Sequence, residues 1–169
     1  RGLGDVYKRQ GMILTHFENS LAAVPILTSY IPMLSGTGGN SGTQASTAVI
    51  RALSLGEVRF SDLLRVVWKE CRVALICGVC LAAANFVKMM VVDCWLLANP
   101  TVTPAVAAVV CCTLVGTVAC AKLVGASLPI LAEKIGFDPA VMASPFISTI
   151  VDALSLLIYF RFATWILGV

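Results

Sequence analysis

The last apolar segment of the chain carries one acid and four other polar side chains on what would be a single helix face. Its sequence, "SPFISTIVDALSLLIYF", is otherwise apolar. The polar residues are spaced four, four, three and four positions apart, which stacks them along one side of an α-helix: Ser144, Ser148, Asp152, Ser155 and Tyr159. A carboxylate within a membrane helix faces the interior of the bundle or a water-filled cavity, and by default it marks an ion path. Asp152 is therefore the first candidate for a cation site.

A second polar stretch, "LSGTGGNSGTQAS", lies between two apolar runs. Its four glycines favour a helix that is either broken or closely packed. Gly38 and Gly42 form a small-xxx-small pair, which lets two helix backbones approach closely. Packing alone does not explain Asn40 and Gln44, because amide side chains in lipid are unfavourable unless they meet partners or water. Both interpretations stay open, and the amides favour a water-lined or ion-lined role.

Nucleotide binding and thiol chemistry do not fit the sequence. A P-loop needs a Lys after its last Gly, and the glycine-rich stretch has none. The dinucleotide fingerprint fails as well, because Ser41 stands where Gly or Ala is expected and no strand precedes the motif. Cys77 and Cys80 have metal or redox spacing, but they lie in an apolar segment, where cysteine behaves as a small hydrophobe. We assign the seven cysteines no chemistry.

The composition indicates a lipid environment. Hydrophobic residues make up 59% of the 169 residues, charged residues make up 12%, and the mean hydropathy is +0.92. A soluble domain carries about a quarter charged residues. The small net charge of +3, without a Lys/Arg-rich block or interleaved aromatic residues, argues against a nucleic-acid partner. The expected surroundings are therefore a lipid bilayer.

Four apolar stretches have the length of a membrane span, which needs about 20 residues. They are residues 20–50, 73–92, 104–131 and 145–169. The expected fold is an all-α, polytopic helix bundle with four complete transmembrane helices, preceded by the tail of another at residues 11–17. The polar and basic residues 1–10 match nothing that follows, and we interpret them as foreign to the fold.

The charges of the connections predict a topology, because Lys and Arg accumulate in cytoplasmic loops. The loop at 51–72 contains five basic residues, and the loop at 132–144 contains Lys134. The connection between the second and third spans contains neither Lys nor Arg. The loops at 51–72 and 132–144 are therefore expected to be cytoplasmic, with the C-terminus outside.

Two segments together resemble the membrane domain of the MgtE family of magnesium channels and transporters. They are "PMLSGTGGNSGTQASTAVIRALSLGEV" and "FDPAVMASPFISTIVDALSLLIYF", and the similarity runs from about residue 11 to the end. The resemblance implies five transmembrane helices per subunit and a homodimer whose pore is lined by the second and fifth helices. It also implies a central cation site at Asp152, and it assigns Asn40 and the surrounding glycines to the second-helix motif. No part of the sequence matches the family's cytoplasmic N-terminal and CBS domains, so we expect a membrane-domain fragment.

The transported ion expected from this resemblance is Mg²⁺. This ion gives up water reluctantly and is usually held by one or two carboxylates with several waters retained. One carboxylate from each subunit of the homodimer would face the hydrated ion. Serine hydroxyls and carbonyls of the glycine-rich stretch would accept hydrogen bonds from its water. The candidate metal-site residues are Asp152, Asn40, Ser148, Ser144, Gly36 and Gly39.

Four alternatives stay open. Asp152 would be structural if it paired with Lys122 on the preceding span. A carrier for Mn²⁺ or Co²⁺ would use similar oxygen ligands. An intramembrane aspartyl protease would need Asp138 to face Asp152, and the Gly-x-Gly-Asp motif of such enzymes is absent. A membrane scaffold would need no buried acid. We expect a transporter and no enzyme.

Overall fold

The computed structural model describes residues 25–96, 98, 100–142 and 145–168. Within these ranges the regular structure is helical: α1 is Ile26–Ser54, α2 is Leu63–Lys88, α3 is Pro104–Lys134 and α4 is Pro145–Leu167. A π-helix, Met89–Leu96, continues α2, and 3₁₀ turns lie at Phe60–Asp62 and Pro139–Met142. The all-α prediction is confirmed for this part of the chain. The expectations for residues 1–17 and for Ser144 concern positions outside the described residues.

Three helical segments are long and apolar enough to cross a membrane. They are Phe60–Leu96, Pro104–Lys134 and Pro145–Leu167. Helix α1 has 29 residues, a length of roughly 44 Å at the usual rise per residue, so it is also long enough to cross. Its glycine-rich polar stretch makes it less apolar than the other three. The chain is a membrane protein, and α1 is the one of its four described long helices that carries a polar glycine-rich stretch.

Helix α1 runs without a break through Pro32 and the glycine-rich stretch. The prediction of a closely packed helix is confirmed, and the alternative of a broken helix is wrong. Glycine and proline have low helix propensity, but packing against neighbouring helices supplies most of the stability of a helix in a protein. Contacts of α1 with α3 and α4 maintain its helical backbone.

Helix α3 lies at the centre of the described bundle. Helices α1, α2 and α4 all pack against it, and α1 also packs against α4. Thr103 caps the start of α3, where its Oγ accepts a hydrogen bond from the Val106 N–H at 3.3 Å, and Pro104 occupies the first helical position. The backbones of α1 and α3 meet at Gly42 and Gly125, where a Cβ on Gly125 would collide with the Gly42 carbonyl oxygen. Glycine is required at this crossing.

The connection between α1 and α2 is shorter than the predicted loop at 51–72. Helix α2 begins at Leu63, although the apolar run begins only at Val73. Four of the five basic residues assigned to this loop lie on helices: Arg51 on α1, and Arg65, Lys69 and Arg72 on α2. The second predicted loop, 132–144, likewise includes the end of α3. These boundaries were wrong because the helices extend past their apolar parts into amphipathic turns.

Candidate cation site between α1 and α4

One face of α1 packs tightly against α3 and α4. A Cβ placed on Gly38 would lie 2.6 Å from Thr117 Cγ2 and 2.8 Å from Ser155 Oγ. A Cβ on Gly42 would lie 2.9 Å from Ile147 Cγ2. Both glycines are buried. The small-xxx-small pair therefore serves close helix packing, as predicted for Gly38 and Gly42.

The neighbouring part of α1 faces the carboxylate of Asp152. A Cβ on Gly39 would lie 3.7 Å from Asp152 Oδ1 and 3.5 Å from Ser148 Cβ. Since glycine has no side chain, the α1 backbone itself borders the carboxylate. Ser35, one turn earlier on α1, lies near enough to interact with the Asp152 carboxylate. Three of the predicted residues, Gly39, Ser148 and Asp152, are thus brought together.

A third face of α1 is exposed and mostly polar. Its residues follow helical spacing along nearly the whole helix: Ser29, Gly36, Asn40, Gln44, Thr47 and Arg51. Among the described residues, no atom of another helix lies within 4 Å of a Cβ placed on Gly36. The predicted residues Asn40 and Gly36 therefore belong to this exposed face and do not pack beside Gly39. In lipid, such a face needs water or another protein surface against it.

The polar stripe predicted on α4 divides into two parts. Ser155 is buried and donates to the Val151 carbonyl at 2.7 Å, and the buried Tyr159 hydroxyl donates to the Leu27 carbonyl at 2.9 Å. These two residues stabilise helix packing. Ser148 and Asp152 are both partly exposed, and the Ser148 hydroxyl donates to the Pro145 carbonyl at 3.2 Å. The stripe can therefore serve a cation only at its N-terminal end.

Lys122 does not pair with Asp152. Its Nζ lies 3.1 Å from Glu70 Oε2 on α2, and both side chains are largely buried. Asp152 takes part in none of the ion pairs of the described residues. The alternative that made Asp152 a structural partner of Lys122 is wrong, because the α2 carboxylate neutralises this lysine. Among the described residues, no cationic side chain forms an ion pair with the Asp152 carboxylate.

The donor set around Asp152 is suited to a hard cation that keeps its water. Carboxylate, hydroxyl and carbonyl oxygens are the ligands that Mg²⁺ prefers. Within the described ranges, no three His, Cys, Asp or Glu side chains cluster as a metal site. All seven cysteines are free thiols. One carboxylate with hydroxyls beside it can hold a hydrated divalent ion through water but cannot enclose a bare one.

The sequence analysis missed two parts of this arrangement. Ser35 lies in the glycine-rich stretch, four positions before Gly39, and that helical spacing was the available signal. Glu70 was assigned to a loop, so its position opposite Lys122 went unnoticed. The available signal was the spacing of the basic residues near Glu70: Arg65, Lys69 and Arg72 lie four and three positions apart, as on one side of a helix.

Fold and site together define a helical membrane protein with a carboxylate held between two of its helices. The family model described as "MgtE: Divalent cation transporter" matches residues 31–162. The chain therefore belongs to the MgtE family of divalent cation transporters, which are transporters and not enzymes, and the resemblance read from the sequence is confirmed.

Three curated relatives carry the name "Magnesium transporter MgtE". The protein from Thermus thermophilus is 39% identical over 155 residues, which is 92% of this chain and 32% of the relative. The Bacillus subtilis protein is 36% identical over 155 residues, 91% of this chain and 32% of the relative. The Enterococcus faecalis protein is 33% identical over 152 residues, 90% of this chain and 32% of the relative. The chain spans about a third of the length of these relatives.

Proposed function

We propose that this chain transports hydrated Mg²⁺ across a membrane, along a path bordered by α1 and α4. One observation carries the proposal: the Asp152 carboxylate has no cationic partner among the described residues and lies beside Gly39, next to the exposed polar face of α1. The names of the relatives support Mg²⁺ as the substrate.

The chemistry of Mg²⁺ suits this arrangement. The ion dehydrates reluctantly, so a carboxylate reaches it through its water shell. Carbonyl oxygens of a helix already accept one backbone hydrogen bond, but each has a second lone pair. At Gly36 no side chain of the described residues covers the backbone, so this carbonyl can accept a bond from the ion's water. Asn40 and Ser148 add polar groups on either side.

The exposed face of α1 supports assembly as a homodimer. A row of polar residues 29–51 facing lipid would be unfavourable, and a second copy related by a two-fold axis would cover it. The same axis would bring two Asp152 carboxylates to one hydrated ion, doubling the charge that balances it. In this arrangement α1 is a complete span, the α1–α2 and α3–α4 connections are cytoplasmic, and the C-terminus is outside, in the inner or plasma membrane.

Two other functions find less support in the site. Asp138 accepts a hydrogen bond from the Ala140 N–H at 2.9 Å in the turn before α4, a local structural role that gives no support to a catalytic pair with Asp152. A scaffold would not need an exposed polar face next to a carboxylate without a cationic partner. Carriers of Mn²⁺ or Co²⁺ share the oxygen ligands and differ in flux selectivity.

The test is Mg²⁺ uptake into liposomes that contain the purified chain, with and without a membrane potential. We expect Mg²⁺ uptake to exceed that of empty liposomes. Added Mn²⁺ or Co²⁺ should reduce Mg²⁺ uptake only if these ions compete for the same path. A membrane potential, negative inside, should increase the rate of passive flux. Uptake no faster than in empty liposomes would contradict the proposal, and preferential transport of Mn²⁺ or Co²⁺ would change its substrate.

A further inference from the structure

One line of residues along α2 is basic where the helix begins and apolar further on. Positions spaced four, three, four and three apart lie on this line, and all of them are exposed: Arg65, Lys69, Arg72, Ile76 and Val79. The side chain of Ile76 is 66% exposed. The first three positions, Arg65, Lys69 and Arg72, are called the α2 basic face. The face continues without a break into the lipid-facing part of an apolar helix.

The charge of the α2 basic face is largely uncompensated. Arg65 lies 3.9 Å from Asp62, but its side chain is 88% exposed, and ion pairs so exposed contribute little. Among the ion pairs of the described residues, none includes Lys69 or Arg72. Glu70, the acid adjacent to Lys69, points inward to Lys122. The face therefore presents three positive charges with one weak counter-charge.

Two exposed apolar side chains flank this face. Leu64 is 82% exposed and Trp68 is 64% exposed, and each precedes a basic residue by one position. Both would be unfavourable against bulk water. Tryptophan is enriched where a membrane meets water, because its ring is apolar and its N–H is polar. The start of α2 therefore has the composition of a helix at the level of lipid headgroups.

We propose that the α2 basic face is a docking site for anionic phospholipids. The phosphate-bearing headgroups contact Arg65, Lys69 and Arg72, and the acyl chains lie along Ile76 and Val79. The observations favour lipid over an acidic protein segment, since such a segment would match only the charged part of the line. The site does not depend on the proposed transport function, because α2 contributes no residue to the α1–α4 site.

Quenching of Trp68 fluorescence by brominated lipid tests this site directly. The chain has three tryptophans, so Trp95→Phe with Trp165→Phe leaves Trp68 alone. This parent chain is placed in phosphatidylcholine vesicles that contain either brominated phosphatidylglycerol or brominated phosphatidylcholine at equal mole fraction. We expect stronger quenching by the brominated phosphatidylglycerol. Equal quenching by the two lipids in the parent chain would overturn the proposal, whatever the variants below do.

A matched pair of double variants locates the effect. Lys69→Gln with Arg72→Gln removes two charges from the face and is expected to lower the preference for phosphatidylglycerol about 30-fold. Arg59→Gln with Lys134→Gln removes two exposed charges near the same end of the bundle but off the face, and the preference should persist. If both variants lose the phosphatidylglycerol preference equally, the preference comes from general surface charge, and the proposed site is wrong. If added poly-glutamate lowers the quenching of Trp68 and brominated phosphatidylglycerol quenches no more than brominated phosphatidylcholine, the face binds an acidic protein partner instead.

Discussion

Glu70 and Asp152 both lie within long helices of the bundle, but their charges are balanced in different ways. Glu70 on α2 faces Lys122 of α3 at 3.1 Å, and both side chains are mostly buried. Asp152 on α4 faces a glycine backbone and the Ser35 hydroxyl, and it has no cation in reach among the described residues. A buried charge is tolerated only when it is balanced. At Glu70 the protein supplies the balancing charge, and at Asp152 we propose that the transported ion does.

Neutralising Asp152 should give the largest effect of all on transport. Asp152→Asn keeps the size of the side chain and removes the charge. Unit charges about 4 Å apart at an effective dielectric constant of about 20 attract by about 4 kcal/mol, so Mg²⁺ flux should fall on the order of 1,000-fold. Stability should change little, because the charge has no protein cation as partner. Flux in liposomes and SDS titration of the helical signal measure the two effects.

Asp152→Glu is the control for this variant. It keeps the charge but moves the carboxylate by about one methylene, so its flux should be intermediate. If Asp152→Asn has normal flux and reduced stability, Asp152 is a structural carboxylate and does not serve the transported ion.

Neutralising Glu70 should instead reduce stability. Glu70→Gln leaves Lys122 buried without a counter-charge, at a cost of about 3 kcal/mol of unfolding free energy. SDS titration in mixed micelles, followed by circular dichroism, measures this loss. The double variant Glu70→Gln with Lys122→Met removes both charges and should recover to within about 1 kcal/mol of the parent chain.

The double variant sharpens the contrast between the two carboxylates. If it is stable and transports Mg²⁺ at the normal rate, the pair serves structure alone. Normal stability combined with lost flux in Glu70→Gln would show that the pair acts in transport, and the distinction from Asp152 would no longer hold.

Gly36 and Gly38, two positions apart on α1, allow a comparison of an open helix face with a packed one. Gly38→Ala places a methyl group 2.6 Å from Thr117 Cγ2 and should destabilise the bundle by about 2 kcal/mol through overpacking. Gly36→Ala has open space within 4 Å and should be neutral or slightly stabilising. Thermal unfolding in detergent compares the two. Equal destabilisation would mean that Gly36 is also packed, which would argue against an open face.

The smallest expected effect concerns Ser35. Ser35→Ala removes the hydroxyl that lies next to Asp152, and a hydrogen bond between the two would contribute about 1 kcal/mol, so flux should fall about fivefold. Measuring flux against Mg²⁺ concentration shows whether the ion's apparent affinity changes. Ser29→Ala, on the exposed face of the same helix, is the matched control. If the two variants transport equally, Ser35 does not orient the carboxylate.

The sequence predicted which polar side chains share a helix face better than it predicted how charges are balanced between helices. Asp152 was found because a single acid in an apolar helix stands out, and spacing alone placed it on the same face as Ser148. The partner of Lys122 was missed because apolar runs mark only the membrane-embedded part of a helix, and Glu70 lies before Val73, where that run begins. Sequence periodicity reports the faces of one helix; it does not report which helix is opposite.

The glycine-rich stretch shows the same limit. Its composition left close packing and a water-lined path both open, with the amides favouring the path, and the structure packs some of its positions and leaves others exposed. Gly38 and Gly42 are buried in helix contacts, whereas Gly36 and Asn40 are exposed. A helix turns by about 100° per residue, so neighbouring positions belong to different faces. Only the positions of α3 and α4 decide which glycine packs and which stays open.

The short length of α4 makes the candidate site sensitive to membrane thickness. With 23 residues, α4 is roughly 35 Å long, whereas α3 with 31 residues is roughly 46 Å long, against a hydrocarbon core of about 30 Å. Helix α3 can adapt to a thicker bilayer by reducing its tilt, but α4 has little length in reserve. Hydrophobic mismatch therefore acts first on the helix that carries Asp152. The lipid chain length of the host membrane thus becomes a determinant of how deep this carboxylate lies.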